Sequence, residues 1–362
     1  MVTTATTSAS GSSAMGNAGD RRVSQLRCCG SSGCRSAGSD QLMEALKAAR
    51  EAAGLGRDEL EIKPVGCLRL CGRGPLLASD GPAGTALFGA VPPDQAASVI
   101  RAAVTGSAAT DGHDPLHDYR LSLEDPFYAL QRPVVLEGCG RVDPESIEDA
   151  IAHGSYAQLK HCLTELSPRE VREQVRRSGL RGRGGAGYPT GLKWDTVALQ
   201  PPGPRYLVCN ADEGDPGAFM DRSGLESDPH RLLEGMAIAA YAVGAARGFV
   251  YVRAEYPLAI ERMRLALKQA RSKGVLGRGI FGTGFELALE VRVGAGAYVC
   301  GEETALLLSI QGQRGMPRVR PPYPAQKGLW DAPTLINNVE TYTAVPAILR
   351  EGGEWFASMG TE

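Results

Sequence analysis

No stretch of this 362-residue sequence approaches the roughly 18–20 consecutive apolar residues that a membrane span requires. A strong charge of one sign is also absent, since 39 Lys and Arg residues are balanced by 41 Asp and Glu residues to a formal net charge of -2. The chain therefore has no basic field that would recruit nucleic acid. We expect no nucleic-acid partner, and we expect any membrane association to be made through other subunits.

Large apolar side chains are almost absent from residues 1–22, which are mostly Ser, Thr, Ala and Gly. Such a segment cannot bury enough surface to offset its chain entropy, so we predict a disordered tail. It lacks the apolar core of a secretory signal. A Ser/Thr-rich transit peptide is disfavoured because the only arginines, Arg21 and Arg22, come at the end of the segment. We therefore expect a cytoplasmic location.

The nine cysteines are distributed unevenly. Five are crowded near the amino terminus and four are single residues far apart. An odd total without an export signal argues against a disulfide framework, so the crowded five suggest a metal site. The crowded residues are Cys28, Cys29, Cys34, Cys67 and Cys71, and the single ones are Cys139, Cys162, Cys209 and Cys300.

The length allows two or three domains. Composition divides the chain into a compact unit at 23–105, a linker at 106–118, a larger unit at 119–350, and the start of a further region at 351–362. In the first unit, the runs ELEIKPVGC and GTALFGAV predict two strands, and helical periodicity predicts two helices. Cysteines lie on the loops that flank the strands, which indicates a small α/β layer fold.

The second unit alternates strand-like and helical runs. RYLVCN, GFVYVRA and ALEVRV read as strands, and long helical runs follow or precede each of them. Ser167 and Glu170 form a capping box that opens a helix to about Ser178, while Asp143 and Asp228 each precede a proline as helix caps. The alternation predicts a largely parallel sheet with helices on both faces.

The segment 179–194, GLRGRGGAGYPTGLKW, is here called the glycine loop. It contains the spacing Gly182-x-Gly184-x-x-Gly187, but a dinucleotide-binding loop should follow a strand and open a helix directly. The capping box places a helix before it, and YPTG is expected to break any helix immediately after it. A Walker loop is excluded because no Gly-Lys-Ser/Thr is present. We predict that the loop wraps an anion and stacks on a planar ring through Tyr188; the alternative is a flexible surface loop.

Three further polar segments follow apolar elements. They are the acidic loop at 210–217 (NADEGDPG), the run VRVGAGAYVCGEETALLL, and PTLINNVET. Ligands of open α/β sheets bind outside the carboxyl ends of strands, where these segments are expected to lie. Singly, each could be a solvated turn or a helix start with its dipole paired. Together with the glycine loop, they predict one ligand site.

These four segments resemble the flavoprotein that oxidises NADH at the entrance of respiratory complex I. They are also similar to the diaphorase subunits of NAD(P)-linked hydrogenases and NAD-dependent formate dehydrogenases, and the motif GDPGAFMDR resembles this second branch more closely. The resemblance covers residues 120–362. It implies a Rossmann-like α/β domain in which the glycine loop and the acidic loop enclose FMN, with NADH stacked above the ring and no side chain acting as an acid or base.

The resemblance assigns roles to particular residues. Those implied for FMN are Gly182, Gly184, Gly185, Lys193, Asn210, Asp212, Glu213, Tyr298, Gly301, Glu302, Asn337 and Asn338. Those implied for NAD(H) are Tyr188, Lys193, Asp215, Glu303 and Tyr323. Because Asp215 replaces a glutamate of many complex I members, the choice between NADH and NADPH stays open.

The first unit resembles the thioredoxin-like [2Fe–2S] ferredoxin of complex I, which some relatives carry ahead of the flavoprotein. GCLRLCGRGPL is close to that family's second cysteine pair. The implied cluster ligands are Cys29, Cys34, Cys67 and Cys71, although the spacing alone leaves zinc open. The x4 spacing selects Cys29 over Cys28 as the first ligand.

The resemblance implies an NAD(P)H:acceptor oxidoreductase, since a flavin converts hydride transfer into one-electron transfer to clusters. Fusion of the two units favours the diaphorase of a hydrogenase or formate dehydrogenase, with those enzymes' iron–sulfur subunits as partners. The alternatives are the NADH-oxidising subunit of a membrane NADH:quinone oxidoreductase and a non-catalytic zinc-binding scaffold. A [4Fe–4S] cluster is expected only in a missing carboxyl-terminal region, so we expect the chain to be a fragment.

Overall fold

The computed structural model describes residues 24–110 and 112–360, and the predicted disordered tail lies outside them. The elements around the first sheet are β1 (Ser24–Cys29), α1 (Ser32–Ser36), α2 (Ser39–Ala52), β2 (Leu60–Val65), β3 (Leu76–Gly81), β4 (Gly84–Gly89), α3 (Ala96–Thr105) and β5 (Arg120–Leu121). Four short or medium helices follow, α4 (Pro126–Ala129), α5 (Ile147–Ala152), α6 (Ala157–Glu165) and α7 (Pro168–Arg177).

The remaining elements build the second sheet and its layers. They are α8 (Thr190–Ala198), β6 (Tyr206–Ala211), α9 (Met220–Ser227), α10 (Pro229–Val243), β7 (Arg247–Val252), α11 (Pro257–Ser272), β8 (Ala288–Val293), α12 (Glu303–Ile310), β9 (Thr334–Asn338), α13 (Val339–Glu351) and α14 (Gly353–Ala357). None of the described helices is long and apolar enough to cross a membrane.

The first sheet has the strand order β2-β1-β3-β4-β5. β1 and β2 are parallel, whereas β3, β4 and β5 add antiparallel neighbours. A parallel β-α-β unit followed by a hairpin and a helix is the thioredoxin-like arrangement, so the predicted fold class is confirmed. The sequence pattern had shown only β2 and β4. β3 was missed because its first four residues are all buried and do not alternate, and β1 because its alternation covers only a short run that includes Gln25 and Arg27.

The domain boundaries remain a prediction. The two residues of β5, which that division assigns to the second unit, pair with Leu87 and Phe88 of β4. Leu116, from the predicted linker, is buried in the core of the first sheet. The segment before residue 122 therefore packs against the first unit.

The second sheet has the order β8-β7-β6-β9, and every neighbouring pair is parallel. This confirms the predicted parallel α/β architecture. α10 lies in the middle of the helical layer, where all its residues except Tyr241 are buried. It packs against α13 so closely that a Cβ on Gly235 would lie 2.0 Å from the carbonyl oxygen of Tyr342.

The helix starts test the capping predictions individually. The Ser167–Glu170 capping box is present, and Asp228 accepts the backbone N–H of Arg231 at 3.2 Å at the start of α10. The prediction at Asp143 was wrong, because its carboxylate instead accepts the N–H of Glu145 in a local turn, and α5 begins later with Ser146 as its cap.

The glycine loop begins after α7, and its last five residues form the start of α8. The helix before it was predicted, but the expected break after it was wrong, since α8 begins at Thr190 with Pro189 as its cap. A Cβ on Gly191 would lie 2.7 Å from Cα of Arg176, so this glycine allows α8 to pack directly on α7. The loop is thereby anchored at both ends.

Candidate functional site

A cavity of about 590 Å³ lies at the carboxyl ends of β6 and β9. Asn210 and Asn338 are directly opposite each other in these two parallel strands. The glycine loop forms one wall, and the start of α12 and the segment 320–326 form the others. A ligand in this cavity would therefore contact segments that are far apart in sequence but adjacent at one sheet edge.

Most of the predicted site residues line this cavity, and some do not. Those that line it are Gly182, Gly184, Tyr188, Lys193, Asn210, Gly301, Glu302, Glu303, Tyr323, Asn337 and Asn338. Those that the structure does not place in its wall are Gly185, Asp212, Glu213, Asp215 and Tyr298. The individual roles of both groups stay predictions.

Lys193 is the cation that reaches into the cavity from α8. Its Nζ donates to the carboxylate of Glu303 and to the carbonyl oxygen of Ile336, the latter at 3.0 Å. Its side chain is 23% exposed, so it remains accessible to an anionic ligand. Helix α12 starts beside it, with Glu302 accepting the N–H groups of Thr304 and Ala305.

Two asparagines have fixed amide orientations. Asn210 Nδ2 donates to the carbonyl oxygen of Gly301 at 2.9 Å, which ties the acidic loop to the start of α12. Asn338 Oδ1 accepts the N–H of Glu340 at 2.8 Å at the start of α13, and its Nδ2 donates to Asp221. Because these hydrogen bonds fix both amides before a ligand binds, this part of the cavity wall is preorganised.

The carboxylates of the acidic loop do not form part of the cavity wall. Glu213 accepts the N–H groups of Asp221 and Arg222 at 3.0 and 3.1 Å, because the free N–H groups at the start of α9 attract it. Asp215 accepts a hydrogen bond of 2.9 Å from the hydroxyl of Tyr298. Burial raises the pKa of Asp212 to about 6.

Arg320 and Gln326 line the cavity, and sequence reasoning did not select them. Both flank Tyr323 in the run RPPYPAQ. The sequence contained a signal for Arg320. A cation near Tyr323, the predicted stacking residue, suits a ligand that has both a phosphate and a planar ring.

The four predicted metal ligands lie together beside the end of the first sheet. Sγ of Cys67 lies 3.8 Å from Sγ of Cys71. Hydrogen bonds from the thiols of Cys34 and Cys67 lower the pKa of Cys29 to about 3, and the thiol of Cys67 lowers the pKa of Cys71 to about 7. The sulfur-rich donor set fits an iron–sulfur cluster, which is ligated by thiolates.

Within the described residues, no three His, Cys, Asp or Glu side chains are grouped so that they could hold a single metal ion.

Strand alternation separates Cys28 from Cys29. Successive side chains of a strand point to opposite faces. Cys28 packs in the main core of the first sheet with Leu26 and Leu42, whereas Cys29 belongs to a separate cluster with Cys34. The structure therefore brings Cys29, and not Cys28, to the other cysteines.

Helix α9 connects the cysteines to the cavity. At its carboxyl end, Glu226 accepts the N–H of Ser32 at 2.9 Å and the Ser32 hydroxyl, and Ser227 Oγ accepts the N–H of Cys67 at 2.8 Å. At its amino end, Asp221 contacts Asn338. Eight helical residues span only about 12 Å, so the two sites are close.

Replacing Glu226 by Ala should lower the free energy of unfolding by about 2–4 kcal/mol, because two partly buried donors of Ser32 lose their acceptor. Denaturant-induced unfolding measures this. Glu44→Ala is the matched control, since Glu44 is exposed and pairs with the exposed Lys47; it should change the stability little. Equal effects of the two substitutions would contradict a role of Glu226 in joining the units.

Comparisons with known proteins agree with this geometry. The family model described as the Nuo51 FMN-binding domain matches residues 175–347. The NADP-reducing hydrogenase subunit HndC of Solidesulfovibrio fructosivorans is 54% identical over 231 residues, 64% of this chain and 47% of that protein. A NADH-quinone oxidoreductase subunit of Rhizobium meliloti (strain 1021) is 49% identical over 230 residues, 64% of this chain and 55% of that protein.

A solved structure is similar over both units. It is the NAD+-reducing [NiFe]-hydrogenase in the H2-reduced state, with a TM-score of 0.53 and 29% identity over 92% of this chain and 53% of that one. The chain spans about half the length of the curated relatives it matches. Residues 175–347 thus match the family of Nuo51 FMN-binding domains, as the four loop motifs predicted.

Proposed function

We propose that this chain is the NADH-oxidising flavoprotein part of an oxidoreductase, with FMN in the cavity and an iron–sulfur cluster on the amino-terminal cysteines. The observation that carries the proposal is the convergence of four predicted loops on one cavity of about 590 Å³. This volume lies within the range of about 300–1,000 Å³ of typical cofactor sites.

When bound, FMN would accept hydride from NADH and release electrons singly to a cluster. The protein's part is binding and orientation. Lys193 offers a cation to an anionic ligand, and Asn210 and Asn338 present amides fixed from behind. Tyr188 and Tyr323, which are 50% and 54% exposed, offer ring faces for stacking of the nucleotide.

The cysteine site completes the proposal with a [2Fe–2S] cluster on Cys29, Cys34, Cys67 and Cys71. The short α9 that joins this site to the cavity supports electron transfer within one chain. Free thiols at such a site require a reducing compartment, so a cytoplasmic location is part of the proposal.

For partners, we propose the iron–sulfur subunits of a soluble hydrogenase or formate dehydrogenase. The likeness to an NAD+-reducing hydrogenase extends over both units, which supports this choice. The relative from Rhizobium meliloti, which belongs to a NADH-quinone oxidoreductase by name, supports a complex I-type assembly as the second candidate. Identification of the subunits that co-purify with the native protein distinguishes the two.

FMN should bind to the refolded chain with quenching of flavin fluorescence, and Lys193→Ala should weaken this binding about tenfold through loss of a charged hydrogen-bond donor. Lys268→Ala is the control, because Lys268 is an exposed residue of α11 outside the cavity. No binding of FMN by the unmodified chain would overturn the proposed function.

Asp215 should set the nucleotide preference, because its carboxylate repels the 2′-phosphate of NADPH. Asp215→Ala should lower the ratio of kcat/KM for NADH to that for NADPH about tenfold, which corresponds to about 1.4 kcal/mol. Tyr298→Phe removes the hydrogen bond to Asp215 but keeps the carboxylate, so the ratio should persist. An unchanged ratio in Asp215→Ala would show that the assignment is wrong.

A further inference from the structure

A buried carboxyl group lies directly behind the cavity wall. Asp221, in the first turn of α9, is only 5% exposed. Its Oδ2 accepts a hydrogen bond of 2.6 Å from Asn338 Nδ2, whereas its Oδ1 has no hydrogen-bond partner among the described residues. An unpaired buried carboxylate oxygen is costly, and a bound proton reduces that cost because it removes the charge.

The surroundings of Asp221 are acidic. The largest effect is burial, followed by the charges of Glu213 and Glu340, and together they raise the pKa of Asp221 to about 8. The nearby cations interact with other groups. The charge of Arg183 favours the ionised form of Glu340, and Arg222, which follows Asp221 in α9, approaches the carboxylate of Glu226.

Two further titratable groups belong to the surroundings. Burial, and after it the charge of Asp221, raises the pKa of the Cys209 thiol on β6. Tyr256, at the start of α11, donates to Glu213 at 3.1 Å and not to Asp221. No described element therefore supplies Asp221 with a cation of its own.

Asn338 lies between Asp221 and the cavity. Its amide is held on one side by the N–H of Glu340 and on the other by Asp221, and its side chain lines the cavity. Under the proposed function, Asn338 lies at the phosphate end of FMN. A negative charge on Asp221 would therefore be one residue away from the flavin phosphate.

We propose that Asp221 is a neutral, proton-bearing positioning residue of the flavin site, which orients Asn338 while keeping negative charge away from the phosphate. As the pH rises through about 8, Asp221 loses its proton, the wall behind the phosphate becomes negative, and the affinity for FMN falls. This inference rests on the proposed function.

The test is a fluorescence titration of the chain with FMN at pH values from about 7 to about 9.5. The dissociation constant of the unmodified chain should rise about tenfold across this window. In Asp221→Asn, an uncharged amide of the same shape, it should be independent of pH. Glu340→Gln is the matched control: the pH dependence should remain, with its midpoint moved to lower pH because one like charge is removed.

The outcomes separate this inference from the function on which it rests. If the unmodified chain binds no FMN at any pH, the proposed function fails and the inference fails with it. If it binds FMN with an affinity that does not change with pH, or if Asp221→Asn shows the same decline, only the inference is overturned. If Asp221→Asn does not fold, the inference is tested by the pH dependence of FMN affinity in the unmodified chain alone.

Discussion

Replacing Cys29 by Ala should abolish cluster assembly in the amino-terminal unit, whereas replacing its neighbour Cys28 by Ala should leave the cluster in place. Cys29 is in contact with the thiols of Cys34 and Cys67. Cys28 lies on the opposite face of β1, where its thiol donates to the carbonyl oxygen of Ser39 and packs in the main core of the first sheet, away from the other cysteines.

Iron and sulfide analysis and the visible absorption spectrum after anaerobic reconstitution measure the result. We expect two irons per chain in the unmodified protein and in Cys28→Ala, the content of one [2Fe–2S] cluster, and almost none in Cys29→Ala. Cys28→Ala should cost only about 1 kcal/mol of stability through a small cavity. One zinc per chain and no iron in the unmodified protein would favour the zinc-binding alternative.

Replacing Gly235 by Ala should destabilise the second unit by about 3 kcal/mol or more. In the middle of a helix this substitution ordinarily stabilises, by up to about 1 kcal/mol. Here the new Cβ would lie 2.0 Å from the carbonyl oxygen of Tyr342 and 2.8 Å from its carbonyl carbon. These are backbone atoms, so α10 and α13 would have to move apart. Because α13 begins directly after Asn338, FMN binding should weaken as well.

Gly284→Ala is the control for this prediction. No atom lies within 4 Å of the position that its Cβ would occupy, so its stability should stay within about 0.5 kcal/mol of the unmodified chain. Thermal and denaturant-induced unfolding measure both variants. A stabilised Gly235→Ala would show that the two helices are not packed as closely as described.

The sequence alone determined the fold class and the segments that form the cavity. The alternation of strands and helices was readable because β6 and β7 are short, mostly apolar runs and β8 alternates apolar with polar residues. Capping at Ser167 and Asp228 was readable because the hydrogen bonds involved join residues three apart. Interactions of this kind join residues that are close together in the chain, so the sequence alone is enough to predict them.

Only the tertiary structure decided which side chains of those segments reach the cavity. The resemblance implied that Glu213 lies beside the flavin, and only the structure showed that its carboxylate accepts the free N–H groups at the start of α9. The role of α9 in joining the cysteines to the cavity, through Glu226 and Asp221, had no sequence signal at all. These contacts are made with residues more than a hundred positions away, such as Ser32 and Asn338. Packing of the two units sets them, because the direction of a side chain depends on which distant donors and acceptors the fold brings within hydrogen-bonding distance.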